Sequence, residues 1–167
     1  MRRLLSSCAL VSVFALLTGC GGGGTGPTTT TAAAGSTEAA TEQQNGVAVR
    51  ITIDVGGTTV TGTLNESAAA RDLAARLPVT VTMSDHGGVE KTGPLSAALS
   101  TEGAPDGADP VPGDIGYYAP SEDFVLYYGD QSYFPGIVIL GAMDPSGVDV
   151  VASAGNAATV TLSAGES

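Results

Sequence analysis

The feature that most limits the fold of this chain is a strict two-residue alternation. Val47, Val49, Ile51, Ile53 and Val55 are separated by Ala48, Arg50, Thr52 and Asp54. A period of two puts one set of side chains on each face of a strand, so this segment is half-buried and extended rather than helical. Gly56-Gly57 follows, a pair suited to the tight reversal of a hairpin, and Thr58 to Leu64 returns as a second strand with Val60, Gly62 and Leu64 on one face. A lone hairpin is marginal in water and leaves two open edges, so the rest of the chain must supply partners.

Those partners are legible as short apolar runs. Residues 79–83, 89–92, 115–119, 124–128, 137–142 and 157–162 read as strands between Gly, Pro, Ser and Asp punctuation. Ala69, Leu73 and Leu77 recur at helical spacing and Pro78 stops the run, which predicts an amphipathic helix over 66–76 with Asn65 as its N-cap. Arg71, Asp72 and Arg76 fall near solvent on this helix. Residues 148–152 give a weaker helical signal, and Leu95 to Pro112 reads as a long loop. Seven or eight strands with one firm helix suggest a mainly β domain, closed as a barrel or sandwich.

The N-terminus carries a different signal. Arg2 and Arg3 precede a mostly apolar run from Leu4 to Leu17, shorter than the roughly 20 apolar residues that span a bilayer. The run ends Leu17-Thr18-Gly19-Cys20, which resembles the lipobox of bacterial lipoproteins. Residues 1–19 are therefore expected to be a cleaved signal peptide for the general secretory route, with Cys20 the lipidated residue. Gly, Thr, Ala and Ser dominate the stretch that follows, and such composition cannot bury enough surface to offset chain entropy. Residues 20–45 are expected to be a flexible tether with a span of roughly 25–30 Å. The domain is expected over 46–165, held to the cell membrane or the outer membrane and facing the extracytoplasmic side.

Processing of this kind removes Cys8 and acylates Cys20. With these the only two cysteines, disulfides, a thiol nucleophile and thiolate-bound zinc are excluded. The domain must then be held by its own core. Charge excludes more. The chain carries 17 acidic groups and a formal net charge of −11, and beyond the signal its basic residues are Arg50, Arg71, Arg76 and Lys91. Nucleic acid is not an expected partner, because its binding depends on cations that neutralise phosphates. Docking on anionic lipid through a basic patch is excluded for the same reason.

Several segments taken together resemble a known family. They are Leu77-Pro78-Val79-Thr80-Val81-Thr82-Met83-Ser84-Asp85, Gly88-Val89-Glu90-Lys91 and Ser100-Thr101-Glu102-Gly103-Ala104-Pro105. Gly113-Asp114-Ile115-Gly116-Tyr117-Tyr118-Ala119-Pro120 and Phe134-Pro135-Gly136-Ile137-Val138-Ile139-Leu140-Gly141 complete the set. In this order, over roughly 46–152, they resemble the small bacterial cyclophilin-like domains. The resemblance implies a closed eight-stranded barrel like that of the cyclophilins, with a helix near its end and one or two short helices in all. It does not imply prolyl isomerisation, since the bacterial family has no generally agreed reaction.

The inventory for catalysis is thin. Cyclophilin-type isomerisation uses an Arg on a barrel strand to hydrogen-bond the prolyl amide. Here Arg71 and Arg76 fall on the expected helix, and Arg50 alternates opposite to Val49 and Ile51, so it faces outward. His86 is the only imidazole and falls in a Ser-Asp-His-Gly-Gly turn. Glu102, Asp106, Asp109 and Asp114 lie beside Pro and Gly at spacings foreign to an EF-hand, as turn carboxylates do. All five tyrosines, Tyr117, Tyr118, Tyr127, Tyr128 and Tyr133, fall in one stretch with Phe124 and Phe134. Tyr couples a flat apolar body to a polar tip, which suits recognition. Met83, Tyr117, Tyr118, Tyr128, Tyr133 and Phe134 are accordingly the candidate ligand-binding residues. The reading is a lipoprotein whose barrel binds a small molecule or peptide, with no catalytic residue, metal or cofactor. The alternatives are a weak peptidyl-prolyl cis-trans isomerase of the cell envelope and a purely structural envelope protein.

Overall fold

A computed structural model describes residues 48–166. The expected signal peptide, Cys20 and the tether lie outside the described residues. The Gly56-Gly57 hairpin is present: β1 (Val49–Val55) and β2 (Thr58–Leu64) pair in antiparallel register from Val49↔Leu64 to Val55↔Thr58. Both glycines have positive φ, +57° and +92°, the conformation that a two-residue hairpin turn demands of its central residues.

The remaining elements in chain order are α1 (Ala68–Ala75), β3 (Val79–His86), β4 (Glu90–Pro94), β5 (Gly107–Ala108), β6 (Asp114–Tyr118), β7 (Asp123–Tyr127), β8 (Phe134–Pro135), β9 (Ile137–Met143), α2 (Ser146–Ser153) and β10 (Ala157–Ala164). Eight of the strands close into a barrel in the order β1-β10-β3-β4-β7-β6-β9-β2, every pair antiparallel, while β5 and β8 form a separate two-stranded ribbon. The architecture is the mainly β, eight-stranded closed barrel with two short helices that the strand pattern and the resemblance lead one to expect.

Alternation decides what fills the barrel. Ile51 and Ile53 of β1, Leu64 of β2, Met83 of β3, Phe124 and Leu126 of β7, Leu140 of β9 and Val160 and Leu162 of β10 are fully buried. On β1, β2, β3 and β10 their opposite-face neighbours are mostly Thr and Ser, as in a sheet with one wet side. Burying these side chains supplies the folding drive, roughly 1.5–3 kcal/mol for each.

Three boundaries differ from expectation. The N-cap of α1 is Ser67, whose hydroxyl accepts from the Ala70 backbone N–H at 3.2 Å. Asn65 is used otherwise: its side chain accepts from the Ser67 N–H and donates to the Ile139 carbonyl, 2.9 and 2.8 Å. That latch to β9 occupies the amide and delays the helix. β3 runs past Met83 to His86 because the reversal is taken by Gly87 and Gly88, both at positive φ, where Ser84 and Asp85 would be strained.

The third difference is the loop after β4. Asp72 and Arg76 of α1 are not simply solvated. They pair with each other at 2.7 Å, Arg76 donates to the carbonyls of Ala97 and Ala98, and Asp72 accepts from the Ser100 N–H. Leu99 is buried beneath, its N–H donating to the Tyr117 hydroxyl at 3.1 Å. The loop is thus clamped, and its far end forms β5.

Close approach inside the barrel fixes Gly93 on β4. A Cβ there would collide with the Thr82 carbonyl oxygen and sit 2.8 Å from Val81 Cγ1. Backbone cannot step aside, so Gly93→Ala is expected to destabilise the domain by about 1–3 kcal/mol, the usual range for overpacking. Thermal melts of the two proteins check this.

Candidate functional site

The outward side chains of one barrel quarter build a groove. On β7 these are Asp123, Val125 and Tyr127; cross-strand pairing sets Glu90 and Thr92 of β4 beside Tyr127 and Val125. On the other side Gly116 pairs with Val125 and with Ile139, and Tyr118 pairs with Asp123 and with Ile137. His86, the last residue of β3, pairs with Glu90. The groove encloses about 390 Å³ and is lined by these side chains together with Ser121, Gln131 and Phe134.

Its floor is apolar. Val125, Tyr127 and Ile137 form a second buried cluster outside the barrel, with Ala108, Tyr118 and Ile139 packed on it. Gly116 is required here. A Cβ at this position would lie 2.7 Å from Cε2 of Tyr127, so the ring lies over a strand that has no side chain to lift it. The β5–β8 ribbon brings Phe134 to one wall, where its ring packs on Tyr118 at 5.7 Å between centroids, tilted by 58°. Phe134 remains half exposed.

The walls are acidic. Burial pushes the Glu90 carboxyl above the usual carboxylate range, with the charge of Asp123 adding to the effect and His86 and Gln131 opposing it. Tyr127 is likewise pushed up, by burial first and then by the negative field of Glu90 and Asp114. Asp123 accepts from the Ser121 hydroxyl at 2.5 Å.

A second polar cluster sits inside the barrel next to this wall, and sequence reasoning missed it. Lys91 of β4 is 1% exposed, the one buried charged side chain among the described residues. Its ammonium donates to Asp85 Oδ2 at 2.9 Å and lies 5.4 Å from the centre of the Tyr128 ring. The Tyr128 hydroxyl donates to the same carboxylate oxygen at 2.5 Å. Hydrogen bonds from Tyr128 and then Lys91 hold Asp85 below its usual range, and the same bond to Asp85 pushes Tyr128 up to about 12. The signal was available: Lys91 stands on the inward phase of β4 and Asp85 on that of β3. The early end expected for β3 hid the pairing.

The six expected ligand residues therefore divide. Tyr118 and Phe134 line the groove. Tyr133 is exposed on the segment leading into β8. Tyr128 faces inward and holds Asp85. Met83 and Tyr117 are core residues, 0% and 1% exposed, which corrects their expected place on a recognition surface. Tyr117 lies on the inward phase of β6, where its ring packs against the barrel core and its hydroxyl secures the loop. The sequence reading left Glu90, Asp123, Tyr127 and His86 out of the candidate site. His86 ends a strand instead of sitting in a turn. Tyr127 was taken only as one of five tyrosines, and the acidic residues were sought in the loop. Of those loop carboxylates, Asp114 accepts from the Val111 N–H at 3.0 Å, which is turn chemistry.

Among the described residues, the Arg and Lys side chains are all engaged elsewhere. Arg50 faces out from β1 and pairs with Asp144 at 3.4 Å, Arg71 donates to the Glu66 carbonyl, Arg76 pairs with Asp72 and Lys91 with Asp85.

The Lys91 cluster makes two predictions. Asp85→Ala leaves a buried ammonium without its counter-ion, whereas Lys91→Met leaves a carboxylate that water can reach; orphaning a buried charge is the costlier change. Asp85→Ala is therefore expected to lower the melting temperature more than Lys91→Met does. The depressed Asp85 contributes stability above the ordinary carboxylate range and loses it as pH falls below about 4. The raised Tyr128 contributes below about pH 10 and loses its contribution as pH rises towards 12. Melting temperatures across pH are expected to show both losses in the wild type and smaller ones in Tyr128→Phe with Asp85→Ala, where the raised Tyr127 still loses stability at high pH.

Comparison with known proteins agrees with this geometry. Solved structures share the fold. The solution structure of the hypothetical protein AF2241 from Archaeoglobus fulgidus matches with a TM-score of 0.57 and 18% identity, covering 74% of this chain and 99% of that one. The structure of McbB in complex with tryptophan matches with a TM-score of 0.54 and 18% identity, over 70% of this chain and 45% of that one. No curated protein matches the sequence. The Cyclophilin-like family matches residues 53–163, from the first strand of the barrel to its last, and the chain belongs to that family.

Proposed function

We propose that the protein is a lipid-anchored, extracytoplasmic binding module that takes a small molecule or peptide in the groove over β4, β7, β6 and β9, without catalysing a reaction. The groove itself carries this reading. It joins an apolar floor to aromatic and acidic walls in a volume of about 390 Å³, within the roughly 300–1,000 Å³ typical of ligand sites.

Weak prolyl isomerisation is the competing reading, favoured by fold analogy. It needs a donor aimed at the prolyl amide. The positions of the four basic residues, each bound elsewhere, favour binding instead. With the full chain and a panel of X-Pro peptides, the expected isomerisation rate equals the uncatalysed one. A saturable rate above it, lost on Tyr118→Ala or Phe134→Ala, would overturn the non-catalytic reading.

Anchoring rests on the Leu-Thr-Gly-Cys motif at 17–20 and the apolar run before it. Cys20→Ser is expected to abolish labelling by a radioactive fatty acid and to move the protein out of the detergent phase on phase partition. Unchanged partition of Cys20→Ser would count against lipid attachment there.

A further inference from the structure

We propose that the groove selects a small organic ammonium, with the ligand's apolar body lying over Val125, Tyr127 and Ile137, its protonated nitrogen held by the carboxylate of Glu90, and Asp123 adding negative field from the other end of the floor. This rests on the reading of the groove as a binding site and names the chemistry it takes.

The placement of charge carries the inference. Glu90 stands opposite Tyr127 on one side of the floor and Asp123 ends the same strand, four residues away. At about 3.4 Å per residue, the two carboxyl-bearing positions flank a floor about 13 Å long. Neither carboxylate has a cation supplied by an Arg or Lys of the barrel, since Arg50, Arg76 and Lys91 are paired with Asp144, Asp72 and Asp85 and Arg71 holds the Glu66 carbonyl. His86 is the one basic side chain on the wall. Two carboxylates set against apolar surface, with their counter-charge missing from the described residues, complement a cation arriving from outside.

The aromatic residues fit the same ligand. Tyr118 and Phe134 present ring surface to the groove, with Tyr127 buried in its floor, and an ammonium is attracted to ring faces as well as to carboxylates. An anionic ligand meets like charge on both sides and gains nothing from the rings. The elevated Glu90 carboxyl agrees with this: burial and Asp123 both resist its ionisation, and a bound cation relieves both.

Three near-isosteric probes test it on the full chain: 2-phenylethylamine, 2-phenylethanol and phenylacetate, titrated while groove amide resonances are followed by NMR. The amine is expected to bind about tenfold or more tightly than phenylacetate, with the alcohol between, as carboxylates in a low-dielectric wall dictate. Glu90→Gln with Asp123→Asn is expected to erase the advantage of the amine over the alcohol; native dispersion of the core amide resonances shows that the variant is folded. Equal affinities for the three, or a preference for phenylacetate, would overturn the ammonium inference and leave the groove as a binding site. Silence of all three probes against the folded wild type would overturn both readings.

Discussion

The structure hangs on the double pairing of β1. This strand bonds to β2 on one edge and to β10, the last strand of the chain, on the other. Without the second contact the sheet would be an open meander with two exposed edges and one uncovered apolar face. With it, the inward residues of eight strands surround one another, and no edge is left to pair with another molecule. The pairing joins the two ends of the domain, so the barrel gains its closed core only when the chain is nearly all in place. Contacts of such sequence separation slow folding more than they limit stability.

Closure also explains why the groove lies outside. Apolar side chains fill the barrel, and its inward polar groups are engaged: Lys91, Asp85 and Tyr128 bind one another, and the Tyr117 hydroxyl accepts from the Leu99 N–H. The open space lies on the outer face. There the usual polar alternation breaks down on β7, whose residues 124–127 are buried on both faces. Phe124 and Leu126 face the core, while Val125 and Tyr127 are covered by the β5–β8 ribbon and its neighbours. A strand apolar on both sides marks where a second layer sits, and the groove is the gap which that layer leaves.

Two features hold the second layer in place. The ion pair of Asp72 and Arg76 grips the loop from the helix side, and the Tyr117 hydroxyl grips it from the barrel. The chain then runs to β5, which pairs with β8 and carries Phe134 over to Tyr118. A helix that packs on the barrel therefore also anchors the loop leading to the groove wall. Gly107 permits the ribbon's close approach, since a Cβ there would lie 2.8 Å from Pro135 Cα.

The sequence by itself determined most of the barrel strands and, on β1 and β2, the sense of each face. Alternation in 49–55 and 58–64, the paired glycines and the apolar runs further on specify β structure locally, because a period of two has only one backbone solution. It also determined the balance of charge, with 17 acidic groups and a formal net charge of −11. Tertiary structure decided the rest. Tyr117 and Tyr118 are neighbours of the same type, yet one is core and the other lines the groove, since the phase of β6 is set by its pairing with β7 and β9 and by the bulge at Ile115 and Gly116. Glu90 and Asp123 stand 33 positions apart in sequence and flank one floor only because β4 and β7 are adjacent in the barrel. The two-residue strands β5 and β8 are too short to carry any period, so the ribbon that completes the groove had no local signal to read. Local pattern fixes what each residue can do on its own strand, and strand order alone fixes which residues meet.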